Sequence, residues 1–353
     1  MFKKFPYALQ VSQPPVKHDD VDITIIIAHR GPGMGLWMTI QGCEIELEGS
    51  GLKYDYVVVH NGDADMGIET RSVMAHLDRS GKRLDFIHHP APLSPPSARQ
   101  LATESADGKY LFFFDNHCIP ARGYFQRALK CFEEQRADMV HSMTRFFAGE
   151  KDHYHYRLHL DSNFWGESIV DDPYGAQSPD LPSRVLPYRI AVGGHGGFAV
   201  RRSVWEEVGG YGPLGLFSGY GGEEVYFDLK MAMMDKTNWL VPRMVHHHWS
   251  GERATHTKCG KCGEVSSKGY SRHYSDDYYR NMLMCANIVG GPRWCDTVYT
   301  HFMHQPKQQG KTMYEIYVEA IYRSQQHGID YRAKCRRTLE QQLDEFKRLG
   351  IPH

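Results

Sequence analysis

No stretch of the 353-residue chain stays apolar for the roughly 18 residues that a membrane-crossing helix needs. The first residues, MFKKFPYALQVSQPPVKHDD, lack an apolar core of signal-peptide length ahead of the prolines. The expectation is a cytoplasmic protein with no membrane partner. Charge of one sign is also missing: 41 Lys and Arg face 42 Asp and Glu, a net −1. That excludes coating nucleic acid through bulk charge and leaves open only a local basic face. Cysteine is scarce and scattered, eight in all, with only Cys259 and Cys262 closely spaced. This is not a disulfide framework.

What is present is a globular composition, 41% hydrophobic and 24% charged, enough for a full α/β core. Residues 1–21 read as an extended arm. DITIIIA (22–28) and YDYVVV (54–59) are buried strands flanking a helical pattern at about 34–48, which implies a right-handed parallel unit. A third strand at 83–88, a helix over SARQLATESA (97–106), the strand YLFFFD (110–115), a helix at 123–135 and a strand at 138–147 complete a doubly wound half, residues 22–150. Residues 151–187 read as irregular and as lying over the site. The acceptor half, 151–250, continues with a Gly-rich turn and strand near 190–200, a helix at 202–208 and a helix from Glu223. The strand 239–245 then ends in His246-His247-His248. Alternation puts His246 and His248 on one face. Residues 251–310 form a loop and helix, and 311–353 an amphipathic tail that packs on the domain or on a second copy.

Why an apolar strand should end in Asp115-Asn116-His117-Cys118 has two answers. Asp and Asn end strands by satisfying turn backbone. Alternatively Asp115 and His117, two apart, aim an oxygen and a nitrogen at one divalent cation beyond the strand's carboxyl end, where open α/β sheets bind ligands. That mixed pair suits Mn²⁺ (or Mg²⁺) better than Ca²⁺. In HTKCGKCGE, His256, Cys259 and Cys262 have zinc-ligand spacing, with His273 or His248 as fourth ligand; the alternative is a loop whose thiols stay reduced. The segment His29-Arg30-Gly31-Pro32-Gly33 places backbone near a nucleoside, or merely turns the chain. Glu223 and Glu224 sit at a helix N-terminus, whose dipole favours negative charge. Arg253, His256 and Lys258 form a basic loop able to close on a diphosphate.

From residue 22 to 249 the motifs resemble GT-A fold glycosyltransferases, a Rossmann-like, mostly parallel sheet with helices on both faces, here with a C-terminal helical extension. The carriers are ITIIIAHR, YVVVHNGD, the Ala-Arg helix in SARQ, and Asp115-Asn116-His117. An Asp-X-His followed by Cys is similar to polypeptide N-acetylgalactosaminyltransferases, as are GGFAVRRSVWEEVGGY and YGGEE. Tyr220 replaces the Trp of that group and Glu224 its Asn. His60 stands where many members carry a base-binding Asp, with Asp63 nearby. The membrane anchor and lectin domain of that group are not read in this chain. The resemblance implies hexosyl or pentosyl transfer from a nucleoside-diphosphate sugar to a macromolecular acceptor. It implies a metal held by Asp115, His117 and His248, with His246 as fallback. Donor contacts fall at His29, Arg30, His60, Asp63, Arg99, Asp115, Gly196, Gly197 and Arg253. Glu224 matches the base of an inverting reaction, and in a retaining one Glu223 orients substrates. The acceptor stays open among protein Ser/Thr, a glycan and a hydroxymethylated DNA base, the last favoured by Arg332, Lys334, Arg336 and Arg337. The alternative is a non-catalytic nucleotide-sugar or glycan-binding module on the same scaffold. A nucleotidyltransferase would show a Gly-rich phosphate signature and a lysine after the first strand, which HRGPG does not supply.

Overall fold

The computed structural model describes residues 20–30, 33–61, 67–79, 84–89, 93–146, 152–159, 165–171, 176–177, 181–219, 221–249, 275–303 and 310–351. The chain opens with β1 (Ile23–His29), α1 (Gly33–Leu47), β2 (Tyr54–Asn61), α2 (Gly67–Arg79), β3 (Leu84–His89), α3 (Pro95–Thr103) and β4 (Tyr110–Asp115). There follow β5 (Cys118–Pro120), α4 (Tyr124–Glu134), β6 (Met139–Phe146), β7 (Asp152–His159), β8 (Trp165–Asp171) and β9 (Tyr188–Arg189). Next come β10 (Gly197–Arg201), α5 (Arg202–Val208), α6 (Glu223–Met233) and β11 (Asn238–His248). The tail is α7 (Asp276–Gly290), α8 (Pro292–Phe302), α9 (Met313–Arg332) and α10 (Leu339–Arg348).

One sheet joins the strands in the order β3-β2-β1-β4-β10-β6-β11-β5. The pairs β1–β2, β1–β4 and β2–β3 are parallel, whereas β10 enters antiparallel between β4 and β6. Strand β4 explains why the sheet has two cores. Its alternation sends Phe112 and Phe114 to the face covered by α1 and α4, among Leu36, Ile40 and Phe125. Leu111 and Phe113 go to the opposite face, where Ala98 of α3, Trp205 of α5 and Phe227 of α6 close the other core. The Phe113 and Phe198 rings stack with centroids 4.5 Å apart. Each such fully buried ring contributes roughly 2 kcal/mol of transfer free energy.

Local chemistry sets the boundaries that position the site. Ser94 caps α3 by accepting from Ser97 N–H, and the prolines 95 and 96 occupy its first turn, where no N–H is required. The helix thus starts two residues before the sequence expectation. Residues 151–187 were expected to be irregular, but β7 and β8 form an antiparallel hairpin continuing from β6. The sequence of β7 does alternate, His153, His155 and Arg157 with Tyr154, Tyr156 and Leu158, but its low hydrophobicity reads as a loop. The short strand β5 and helices α2 and α8 were not anticipated. The tail packs on its own domain, since Ile316, Ala320, Tyr331 and Phe346 join the core of α5 and α6. No helix among the described residues is long and apolar enough to cross a membrane.

Candidate functional site

At the carboxyl edge of the sheet, β1, β2 and β3 each present a histidine in register: His29 pairs with His60 and His60 with His88. Ring centroids are 5.2 and 5.3 Å apart along this row. Burial, and after it the neighbouring His60, lowers the His29 pKa to about 3, so its ring is neutral. Arg30 follows, exposed.

Hydrogen bonds running from Arg30 to His248 fix a tautomer. Asn116 donates from Nδ2 to the Arg30 carbonyl, 3.3 Å, and to His29 Nδ1, 2.9 Å. His29 Nε2–H therefore donates to Thr70 Oγ1, 3.0 Å. Because Asn116 spends its amide that way, its Oδ1 can only accept, and it accepts from His117 Nδ1–H at 2.9 Å. A neutral His117 must then carry its lone pair on Nε2. That nitrogen lies 2.9 Å from Nε2 of His248, the rings standing edge-on. Two imidazole nitrogens meet this closely either by sharing a proton or around a cation.

Asp115 reaches His248 in a group that does not include His117. One ligand atom from each of Asp115, Cys118 and His248 lies within 4.8 Å of the other two. Cys118 arrives because β5 pairs antiparallel with β11, setting Cys118 opposite His248. The thiol is fully buried. His246 shares the face of His248, as alternation requires, but its Nδ1 meets Ser142 Oγ at 2.7 Å and its Nε2 meets Thr144 Oγ1 at 3.1 Å. Burial, then His248, lowers its pKa to about 3. Gly196 and Gly197 pack against that ring: a Cβ would stand 3.1 Å from His246 Nε2 at the first and 2.7 Å from Nδ1 at the second.

Arg99 lies beneath Asp115, 3% exposed. Its Nη2 donates to Asp115 Oδ1 at 2.8 Å and to the His195 carbonyl at 2.7 Å. The His195 amide in turn donates to Glu224 Oε1 at 3.1 Å. Glu223, buried at the start of α6, accepts from Gly221 N–H at 3.0 Å. Burial and then the adjacent Glu224 raise Glu223 from 4.5 to about 7, and burial also raises Glu224. The edge thus gathers His29, His60, Arg99, Asp115, His117, His248, Glu223 and Glu224. Asp63, Arg253 and the zinc candidates His256, Cys259 and Cys262 lie outside the described residues. Sequence reasoning missed Cys118 and His195. A Gly-Gly-His-Gly-Gly run reads as a turn, and its one side chain was the available signal.

Residues 45–209 match the profile of glycosyl transferase family 2. The chain also superposes on the crystal structure of GalNAc-T7 with UDP, GalNAc and Mn²⁺, with a TM-score of 0.63, 13% identity and 94% of this chain covered. The chain has the GT-A fold, and part of it matches the glycosyl transferase family 2 profile. It spans 57% of the GalNAc-T7 chain. The crystal structure of S. aureus TarS 1–349 aligns at a TM-score of 0.45 and 11% identity, over 94% of this chain and 92% of that one. No curated protein matches by sequence. The family profile ends before α6 and β11, so Glu223, Glu224 and His248 lie beyond it.

Proposed function

We propose that this glycosyltransferase moves a hexosyl or pentosyl unit from a nucleoside-diphosphate sugar to a hydroxyl of a macromolecular acceptor, with a divalent cation held by Asp115, His117 and His248. The observation that carries the reading is the 2.9 Å approach of the His117 and His248 Nε2 atoms, one of them with its lone pair fixed by Asn116. A carboxylate oxygen with two imidazoles fits Mn²⁺, and Mg²⁺ less well. A cation bound there supplies charge neutralisation for the departing diphosphate.

The chain's own residues account for the rest. Arg99 holds one oxygen of Asp115 at 2.8 Å and so fixes the carboxylate's orientation. The row His29–His60–His88, with the His29 ring neutral, lines the wall where the nucleoside would lie. Glu224, with a raised pKa, is placed to take the acceptor hydroxyl's proton in an inverting reaction; in a retaining one Glu223 orients the substrates. The acceptor is a protein Ser/Thr, a glycan or a hydroxymethylated DNA base.

The test is hydrolysis of a panel of nucleotide sugars with and without Mn²⁺, beside direct donor binding. One donor should be turned over only with the metal, and Asp115→Ala should lower turnover at least a hundredfold. If no donor is consumed and Asp115→Ala binds donors as the wild type does, the scaffold is a binding module and the catalytic reading fails.

A further inference from the structure

Three strands of the site meet in one soft segment, Gly193-Gly194-His195-Gly196-Gly197. The Gly196 carbonyl accepts from the Asp115 amide at 3.1 Å. The His195 carbonyl accepts from Arg99 and its amide donates to Glu224. Main chain alone therefore links the metal-side carboxylate, the buried cation and the acidic pair. Four of the five residues are glycines, which lose the most conformational freedom on ordering and bring no side chain to anchor the backbone. The one side chain in the run must supply the anchor.

His195 is 1% exposed and held at both ring nitrogens. Its Nε2 lies 3.0 Å from Asp228 Oδ1, and its Nδ1 lies 2.8 Å from the Tyr211 hydroxyl. The second oxygen of Asp228 accepts from Gly193 N–H at 2.5 Å and stands 3.5 Å from His141 Nε2. His141 stacks on His195 at 5.6 Å and meets the Gly194 carbonyl from Nδ1 at 3.4 Å. Gly193 is needed there: a Cβ would fall 2.2 Å from the His141 ring. Asp228, on α6 one turn beyond Glu224, thus grips both the start and the centre of the glycine run.

We propose that Asp228, Tyr211 and His195 form a buried positioning unit that sets Asp115 through Arg99 and Gly196, and Glu224 through the His195 amide. His195 touches no substrate; it acts through the backbone on either side. The inference rests on the proposed metal-assisted reaction, and the experiment separates the two.

Mn²⁺ binding is measured by the loss of the free-ion electron paramagnetic resonance signal, on the full chain as wild type, His195→Ala, His195→Gln and Tyr211→Phe. Donor hydrolysis and melting temperature are followed in parallel. His195→Ala and Tyr211→Phe should weaken Mn²⁺ binding about tenfold, the effect expected for residues that orient a ligand, and lower kcat with little change in donor KM. His195→Gln, whose amide can still reach Asp228, should recover most of the loss. Tyr211→Phe keeps its ring and its fold, so it decides the matter where His195→Ala does not fold. Variants that melt lower yet bind Mn²⁺ and turn over donor like the wild type would overturn the proposal and leave a structural role. One equivalent of zinc surviving chelator dialysis in the wild type, and absent from His141→Ala, would overturn it in favour of a structural metal centre. A wild type that binds no Mn²⁺ removes the metal reading itself, and the positioning role with it.

Discussion

Glu223 offers a test in which stability and function pull apart. A carboxyl raised from 4.5 to about 7 by burial holds its proton in the folded state after the unfolded chain has released it. Stability therefore falls as pH rises from about 4.5 to 7 and is constant above that. The difference amounts to about 3 kcal/mol at pH 8. Glu223→Gln removes the ionisation and keeps a neutral oxygen for the Gly221 amide, as the protonated wild type does. The net expectation is a variant more stable than wild type by about 3 kcal/mol at pH 8, or about 4 °C in Tm. At pH 4.5 the two should melt together. The assay is a thermal melt of both proteins across that range. Groups away from the pair titrate equally in both, so the difference between the curves reports Glu223 together with its interaction with Glu224. A variant melting at or below wild type at pH 8 would refute the claim that this carboxylate is held ionised at a cost. The placement of such a group beside Glu224 fits a site where strain is retained for function.

Two further outcomes follow from the packing around β10 and β5. Gly197→Ala forces a methyl to within 2.7 Å of His246 Nδ1, 2.9 Å of the Tyr124 hydroxyl and 3.0 Å of Ser142 Oγ. All three neighbours are packed, so the variant should lose about 1–3 kcal/mol, read by urea unfolding. An unchanged midpoint would mean that the His246 pocket yields easily. Cys118→Ser keeps the shape of the site while removing its soft donor, so Mn²⁺ affinity should change by less than about threefold while Cd²⁺ affinity falls at least tenfold. A loss of Mn²⁺ binding as large as that of His248→Ala would make the thiol a full ligand.

The parts of the fold legible in the sequence were those with strong local patterns. The runs ITIIIAH and YLFFFD are too apolar and too short to be anything but buried strands, and alternation in His246-His247-His248 correctly assigned two rings to one face. Helix α3 was misread at its start because Pro95 and Pro96 look like a break, whereas prolines are tolerated in a first turn. Hairpin β7–β8 was lost because a strand rich in His, Tyr and Asp reads as a loop even though β7 alternates. Cys118 gained no role from sequence because its neighbour His248 is 130 residues away, and only the pairing of β5 with β11 joins them. Contacts of that kind are set by register between distant strands, which local periodicity does not encode.

The middle residue of Asp115-Asn116-His117 decides how the motif works. In a bare Asp-X-His the imidazole is free to place either nitrogen toward its partner. Here Asn116 is 6% exposed, spends its amide on His29 and Arg30, and so leaves only an oxygen for His117. The polarity of one side-chain amide is thereby passed from the first strand to the fourth and fixes which nitrogen of His117 faces β11. Asn116→Asp would keep the acceptor for His117 but remove the donor to His29, and would add a negative charge beside the neutral His29 ring. The His117 orientation should then survive while the His29 pKa rises from about 3 toward the ordinary range. Nuclear magnetic resonance titration of the two histidines separates these effects. A His117 that instead titrates like a free imidazole in Asn116→Leu, and unchanged in Asn116→Asp, is the pattern this reasoning requires. The reverse pattern would show that His248, not Asn116, sets the tautomer.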